Sequence, residues 1–245
     1  MIKPLLCCLL LNLLTADIVF ARQITDRPQP ATLIFSSPDD PLAELSARIL
    51  NRAYRRLGIQ TRVLQQPAAR SLISANSGQL DGEVNRIAGI SGEYTNLRMI
   101  PVPINILEGS MFIRSGTLAP DEKNGLSTYI IGLRRGTKFA EQYTREMKRQ
   151  LVASNRQLFL LLAGGRIDIA ITSSLEGQVA INKLQLKNIK LLQPPFIKRH
   201  LYHYLHKKHQ ALIPQITSII KAMRENGEIE RLKTEYLAEF LSPLT

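Results

Sequence analysis

The chain has 245 residues, of which 44% are hydrophobic, 21% charged and 6% aromatic, enough apolar material for one sizeable core or two smaller ones. Disordered, collagen-like and tandem-array classes are disfavoured by that balance. Lysine and arginine number 32 against 20 acidic residues, a net charge of +12, yet no uninterrupted run of 18 apolar residues occurs, which argues against an integral membrane protein.

The N-terminus carries a compartment signal. Lys3 supplies a positive start, residues 5–14 are apolar apart from Asn12, and Val19-Phe20-Ala21 has the small-x-small form of a processing site. Residues 1–21 therefore read as a cleaved secretory signal, with a periplasmic destination; the polar Asn12 and Asp17 argue against a retained anchor. Cleavage removes Cys7 and Cys8, the two cysteines of the chain. That excludes a disulfide framework, a zinc–thiolate site and a cysteine nucleophile from the mature protein.

Residues 31–36 predict a short buried strand. Asp40-Pro41 then offers an N-cap followed by proline in the first helical turn. Leu42, Leu45, Ile49, Ala53 and Leu57 recur at helical spacing, and Gly58 stands where a left-handed terminator is wanted. Residues 60–64 predict a strand, 67–77 a helix stopped at Gly78, and 80–85 another strand. A second alternating run follows: strand 129–133, helices near 137–150 and 155–163, strand 167–172, a further helix and strand 189–192. Such alternation predicts parallel sheet with helices on its faces. Gly78-Gln79-Leu80-Asp81 and Gly165-Arg166-Ile167-Asp168 each join a helix to a strand, the glycine permitting the reversal and the aspartate tying down the turn. Extended stretches 106–115 and 192–204 suit two crossings between α/β lobes, and the apolar stripe Leu212, Ile216, Ile219, Ile220 and Met223 opens a helical C-terminal segment that returns to the first lobe.

The segments Gly132-Leu133-Arg134-Arg135-Gly136-Thr137, Gly165-Arg166-Ile167-Asp168 and Tyr202-His203-Tyr204-Leu205-His206-Lys207-Lys208, followed by a helix and Asn226-Gly227, resemble bacterial extracellular solute-binding proteins of family 3, the polar amino-acid-binding type. The resemblance covers roughly residues 31–240. It implies an α/β periplasmic binding protein fold of type II, with lobe I from residues 24–110 and 198–245 and lobe II from 113–194, joined by two hinge strands. It further implies capture of a small polar or anionic solute, an amino acid or small acid, by closure of the cleft, and delivery to an inner-membrane ABC permease. The expected protein is a monomer with no cofactor, metal, nucleic-acid partner or catalytic residue; a ligand sensor or a dehydratase-like enzyme on the same fold is the alternative.

Ligands of open α/β sheets bind beyond the carboxyl ends of strands. That rule directs attention to Asp39, Asn85, Arg86, Gly136, Thr137 and Ser173, with Arg70 on the same edge. Arg86 suits a carboxylate or phosphate, which a guanidinium grips in bidentate fashion. Gly136-Thr137 opens a helix, so its amides and hydroxyl either hold an anion, as the matching glycine-threonine does in the family, or cap the helix. The chain departs from the family in two places. Ile90-Ser91-Gly92-Glu93 stands where amino-acid binders commonly place a serine or threonine and then an arginine for the ligand carboxylate. Ser173 stands where they place an acidic partner for the ligand's ammonium. Free α-amino acid is then a doubtful ligand, and a small acid or acidic amino acid gripped by Arg86, Arg70 and the Thr137 helix start is expected; Asp39, Asp40, Glu83 or Glu176 would supply any negative partner.

Three other features stand out in the sequence. His200, His203, His206 and His209 recur every third residue, but in a strand that spacing alternates faces, so surface histidines are expected rather than a metal string. Residues 177–224 contain nine basic and no acidic residues, scattered over several elements as on a solvated face. Asp39, Glu83 and Glu176 are candidate acid–base groups, but no hydrolase, metalloprotease or phosphate-loop motif accompanies them.

Overall fold

The computed structural model describes residues 32–117 and 125–240; the expected leader, residues 1–21 with Cys7 and Cys8, lies outside them. Strands β1 (Thr32–Ser37), β2 (Gln60–Gln65) and β3 (Gly82–Ile87) form a parallel trio with β1 central. Helix α1 (Pro41–Arg55) starts where Asp40 Oδ1 accepts the Ala43 N–H at 2.8 Å. Its face of Leu42, Leu45, Ile49 and Ala53 is buried as the spacing requires. Helix α2 (Ala68–Asn76) connects β2 to β3.

A second parallel trio follows, β5 (Ile131–Arg134), β6 (Arg149–Val152) and β7 (Ile169–Ser173), with β5 central. Its helices are α3 (Lys138–Tyr143), α4 (Asn155–Ala163) and α5 (Ser174–Lys183). The helix expected over 137–150 is corrected here: it ends at Tyr143, and the chain re-enters the sheet as β6, whose pairing with β5 overrides the local helical pattern.

Between the trios runs β4 (Leu97–Arg114), 18 residues long. Its first part pairs antiparallel with β9 (Ile197–His206), from Leu97 opposite His206 to Gly109 opposite Ile197. Its last part pairs with β7 and with the short β8 (Ile189–Leu191). The sheet order is β2-β1-β3-β9-β4-β7-β5-β6. The expected crossings thus belong to longer, mutually paired strands.

Cores form about both trios, and that of the first also takes in Leu175 and Val179 of α5. Phe35, Leu45, Ile49, Val84, Ile104 and Leu201 make one with Ile216, Ile220, Met223, Ile229 and Tyr236 of α6 (Ile213–Glu225) and α7 (Glu228–Ala238). Alternation along β7 serves both faces of the other trio: Ala170 joins Phe112, Leu158 and Phe159, while Ile169 and Ile171 join Ile131 and Leu133. Among the described residues no helix is long and apolar enough to cross a membrane.

The two Gly-x-x-Asp turns are equivalent in detail. Gly78 and Gly165 both adopt positive φ, 79° and 72°. Asp81 then accepts the Ile34 N–H at 2.7 Å while its own N–H donates to the Ile34 carbonyl. Asp168 does the same with Ile130, its Oδ2 accepting at 2.8 Å. Each aspartate therefore clamps the entry to the central strand of its trio. Replacing Asp168 with alanine strands the Ile130 amide and should lower stability by about 1–3 kcal/mol in urea unfolding followed by circular dichroism; a loss below about 0.5 kcal/mol, the range of a neutral surface substitution, would contradict the clamp.

Candidate functional site

The carboxyl ends of both trios open on a cleft of about 980 Å³. Residues after β1, at and after the end of β2 and at the end of β3 line one side, residues at and after the end of β5 and on α3 the other, and Leu107, Ile197 and Leu201 of the β4–β9 pair form an apolar floor. This placement follows from parallel strands, whose loops collect at one edge.

Arg86, near the end of β3, is held from below. Its Nη2 lies 2.6 Å from Oε1 of Glu83 and donates to the Ala68 carbonyl at 3.1 Å. Glu83 is fully buried, and its other oxygen accepts from the hydroxyls of Ser36 and Ser71 at 2.5 Å each. Burial pushes this carboxyl above the ordinary range, while Arg86 and the two hydroxyls pull against that rise. Arg86 Nη1 has no acceptor among the described residues and stays open to solvent.

Arg134, at the end of β5, repeats the arrangement. Its Nη2 donates to Oε1 of Glu176 at 3.0 Å. Glu176 is buried on α5, accepting also from Asn155 Nδ2 at 3.4 Å, Thr172 Oγ1 at 3.1 Å and Ser173 Oγ at 2.8 Å. Arg134 Nη1, too, has no acceptor among the described residues and is open to solvent. Asp40 senses both sides: burial, then repulsion from Glu176, pushes its carboxyl up to about 6, against the Ala43 N–H and the pull of Arg134 and Arg86. Arg135, Lys138 and Arg199 add positive charge to the lining, and exposed Asp39 accepts from Gln65 Nε2 at 3.0 Å.

Of the residues singled out from sequence, Asp39, Asn85, Arg86 and Gly136 line this cleft, whereas Arg70, Thr137 and Ser173 do not. Asn85 donates to Ser46 Oγ at 2.6 Å, which fixes its amide. Arg70 is exposed on α2. The helix start at Gly136-Thr137 already holds an anion: the Gly136 N–H donates to Glu141 Oε1 at 2.6 Å, and the Thr137 N–H to the Arg134 carbonyl at 3.1 Å. Thr137 makes no side-chain cap. Ser173 caps α5 by accepting the Glu176 N–H, so its hydroxyl is occupied on both sides. Arg134 was missed by sequence reasoning, although the Arg134-Arg135 pair ending a strand was a usable signal. Glu83 and Glu176, two of the three candidate acid–base groups, each pair with one of the two arginines.

The expectation of surface histidines is corrected for two of the four. His203 is completely buried and His206 nearly so, while His200 is exposed and His209 meets Asp81 at 2.7 Å. The β9 face carrying His203 packs under β1 and α1, against Phe35 and Tyr54. Its Nδ1 lies 2.8 Å from the Glu83 carbonyl, which only accepts, so Nδ1 carries the proton and Nε2 accepts from Tyr54 Oη at 3.0 Å. Among the described residues no cluster suited to a metal ion occurs.

No protein-family model matches the chain. An uncharacterized protein of Shewanella oneidensis is 28% identical over 200 residues, 78% of this chain and 75% of that protein. Among solved structures, a histidine kinase sensor domain with similarity to periplasmic binding proteins matches 86% of this chain and 98% of its own, with a TM-score of 0.66 at 15% identity. An amino acid ABC transporter substrate-binding protein from Streptococcus pneumoniae, bound to L-arginine, matches 93% and 100% with a TM-score of 0.68 at 12% identity. The GluR0 ligand-binding core from Nostoc punctiforme, in complex with L-glutamate, matches 83% and 98% with a TM-score of 0.65 at 13% identity. The chain therefore has the α/β fold of type II periplasmic binding proteins, as the resemblance implied.

Burial holds the His203 pKa down at about 4, against an ordinary 6.5. Between those values the unfolded chain binds the extra proton and the folded one does not, so stability falls as pH drops from 6.5 to 4, by on the order of 3 kcal/mol. Urea unfolding at pH 7 and pH 4.5 should show most of that loss in the natural protein and a clearly smaller one in His203→Phe; equal losses would reject the assignment.

Proposed function

We propose that the protein is an extracytoplasmic solute-binding protein that captures a small polar or anionic solute by cleft closure and hands it to an inner-membrane ABC permease. The observation that carries this reading is the strand-end cleft, lined from both trios and basic on each side. In this reading residues 24–110 and 198–245 form lobe I, 113–194 form lobe II, and β4 and β9 supply the hinge. Asp39, Asn85, Arg86 and Gly136 are the ligand contacts it retains from the sequence, joined by Arg134. Ligand bound to both lobes favours the closed form, because only that form makes both sets of contacts. Residues 1–21 act as the export signal, and the periplasm is the site of action.

The likeness to a histidine kinase sensor domain favours a second reading, in which the closed shape is read by a membrane-bound signalling partner. Loss of solute uptake in a deletion strain supports the transport role, whereas loss of a transcriptional response with uptake intact supports the sensor. The engagement of Glu83 and Glu176 by arginines and hydroxyls supports binding over acid–base catalysis.

A thermal-shift screen of amino acids, organic acids and small peptides should find a solute that raises the melting temperature progressively with concentration. X-ray scattering with that solute should show a smaller radius of gyration than without it. A saturating ligand that leaves the scattering profile unchanged would overturn cleft closure.

A further inference from the structure

We propose that the solute is a small dianion, with one acidic group on Arg86 and the other on Arg134. This deepens the reading of the cleft as a solute site and rests on it. The two arginines occupy corresponding places, each at the carboxyl end of a strand in one parallel trio, and each is anchored through Nη2 to a buried glutamate. Anchoring consumes one edge of each guanidinium and fixes its orientation, which leaves Nη1 of both open to solvent. Both line the same cleft, and both act on the carboxyl of Asp40, so they face a shared space. An arginine fixed beforehand loses little freedom on binding, and a charge-assisted hydrogen bond to a carboxylate or phosphate is among the stronger polar contacts available to it.

The same cleft is poorly furnished for an ammonium group. Its lining carboxylates are Asp39 and Asp40. Asp39 is exposed and bonded to Gln65, while Asp40 caps α1 with a carboxyl that is part-neutral near pH 6. Glu83 and Glu176, the buried carboxylates, already neutralise the arginines from behind. Arg135 and Arg199, which have no ion-pair partner among the described residues, add attraction for a doubly negative solute at the walls.

Isothermal titration of the purified protein with unbranched dicarboxylates of three to six carbons, their monoamides, and the neutral and basic amino acids provides the test. A dicarboxylate should bind at least about tenfold more tightly than its own monoamide, the scale of one charge-assisted contact. Arg134→Gln should remove that preference. Because this variant leaves Glu176 buried without its partner, the pair Arg134→Gln with Glu176→Gln, which removes both charges, is measured beside it and should show the same loss at an unchanged melting temperature. Equal affinity for diacid and monoamide, a preference for neutral or basic amino acids, or a diacid preference that survives in the double variant would overturn the dianion assignment while leaving solute capture standing. Silence of every compound in this panel, with a solute that carries fewer than two negative charges closing the cleft, would overturn it as well. Failure of all solutes in the broad thermal-shift screen would instead remove the solute-binding reading on which it rests.

Discussion

Two carboxylates shut away from water set the terms for this site. An ionised glutamate buried without compensation is strongly destabilising, and the compensation must come from fixed partners. Glu83 finds two hydroxyls and Arg86; Glu176 finds two hydroxyls, an amide and Arg134. The dependence runs both ways. Each arginine reaches the cleft in one orientation because its glutamate cannot do without it, and truncating either member would leave the other an unpaired charge. Rigidity at the cleft is thus a by-product of satisfying a buried acid, and Tyr54 and His203 tie the backbone carbonyl of Glu83 to the core beneath β3.

Much of the fold was legible because its signals are local. The cap at Asp40-Pro41, the four-residue rhythm of α1 and the two Gly-x-x-Asp turns each act within a few residues or on a fixed neighbouring strand. β6 was not legible. Arg149-Gln150-Leu151-Val152 offers two apolar residues, it is mostly solvated, and its identity as a strand comes from β5 lying beside it. Likewise the crossing segments read as short because their outer portions alternate irregularly; the full length of β4 emerges only when β9 and β7 satisfy its two ends.

The site divided along the same line. Arg86 lies near the end of a recognisable strand, three positions after Glu83, so the strand-end edge could be read from local sequence. Arg134 depends on a glutamate 42 residues away, a separation that no periodicity encodes. The glycine and threonine beside it drew attention instead, since an open helix start is a familiar anion receptor. Glu141 occupies that place from within the same short helix, an i to i+5 contact visible only once the turn is formed. The histidine string failed for a related reason: alternation says which side chains share a face, but not that one face lies under α1.

On the proposed reading, charge also explains why closure should wait for a ligand. Drawing Arg86 and Arg134 together across the cleft brings two like charges into a space from which water is being expelled, where their repulsion grows. The glutamates behind them offset part of that repulsion, and Asp40, a carboxyl that feels both guanidinium groups, can offset more only while ionised. Its own burial and the nearness of Glu176 raise its pKa to about 6, so part of the population lacks this internal counterion in mildly acidic solution. A solute bringing negative charge to both arginines supplies more than the single charge of Asp40 can, and its affinity difference between closed and open forms sets how far the population shifts. On this reading it is the repulsion left between the two arginines, after their glutamates have offset part of it, that keeps the unliganded cleft from closing.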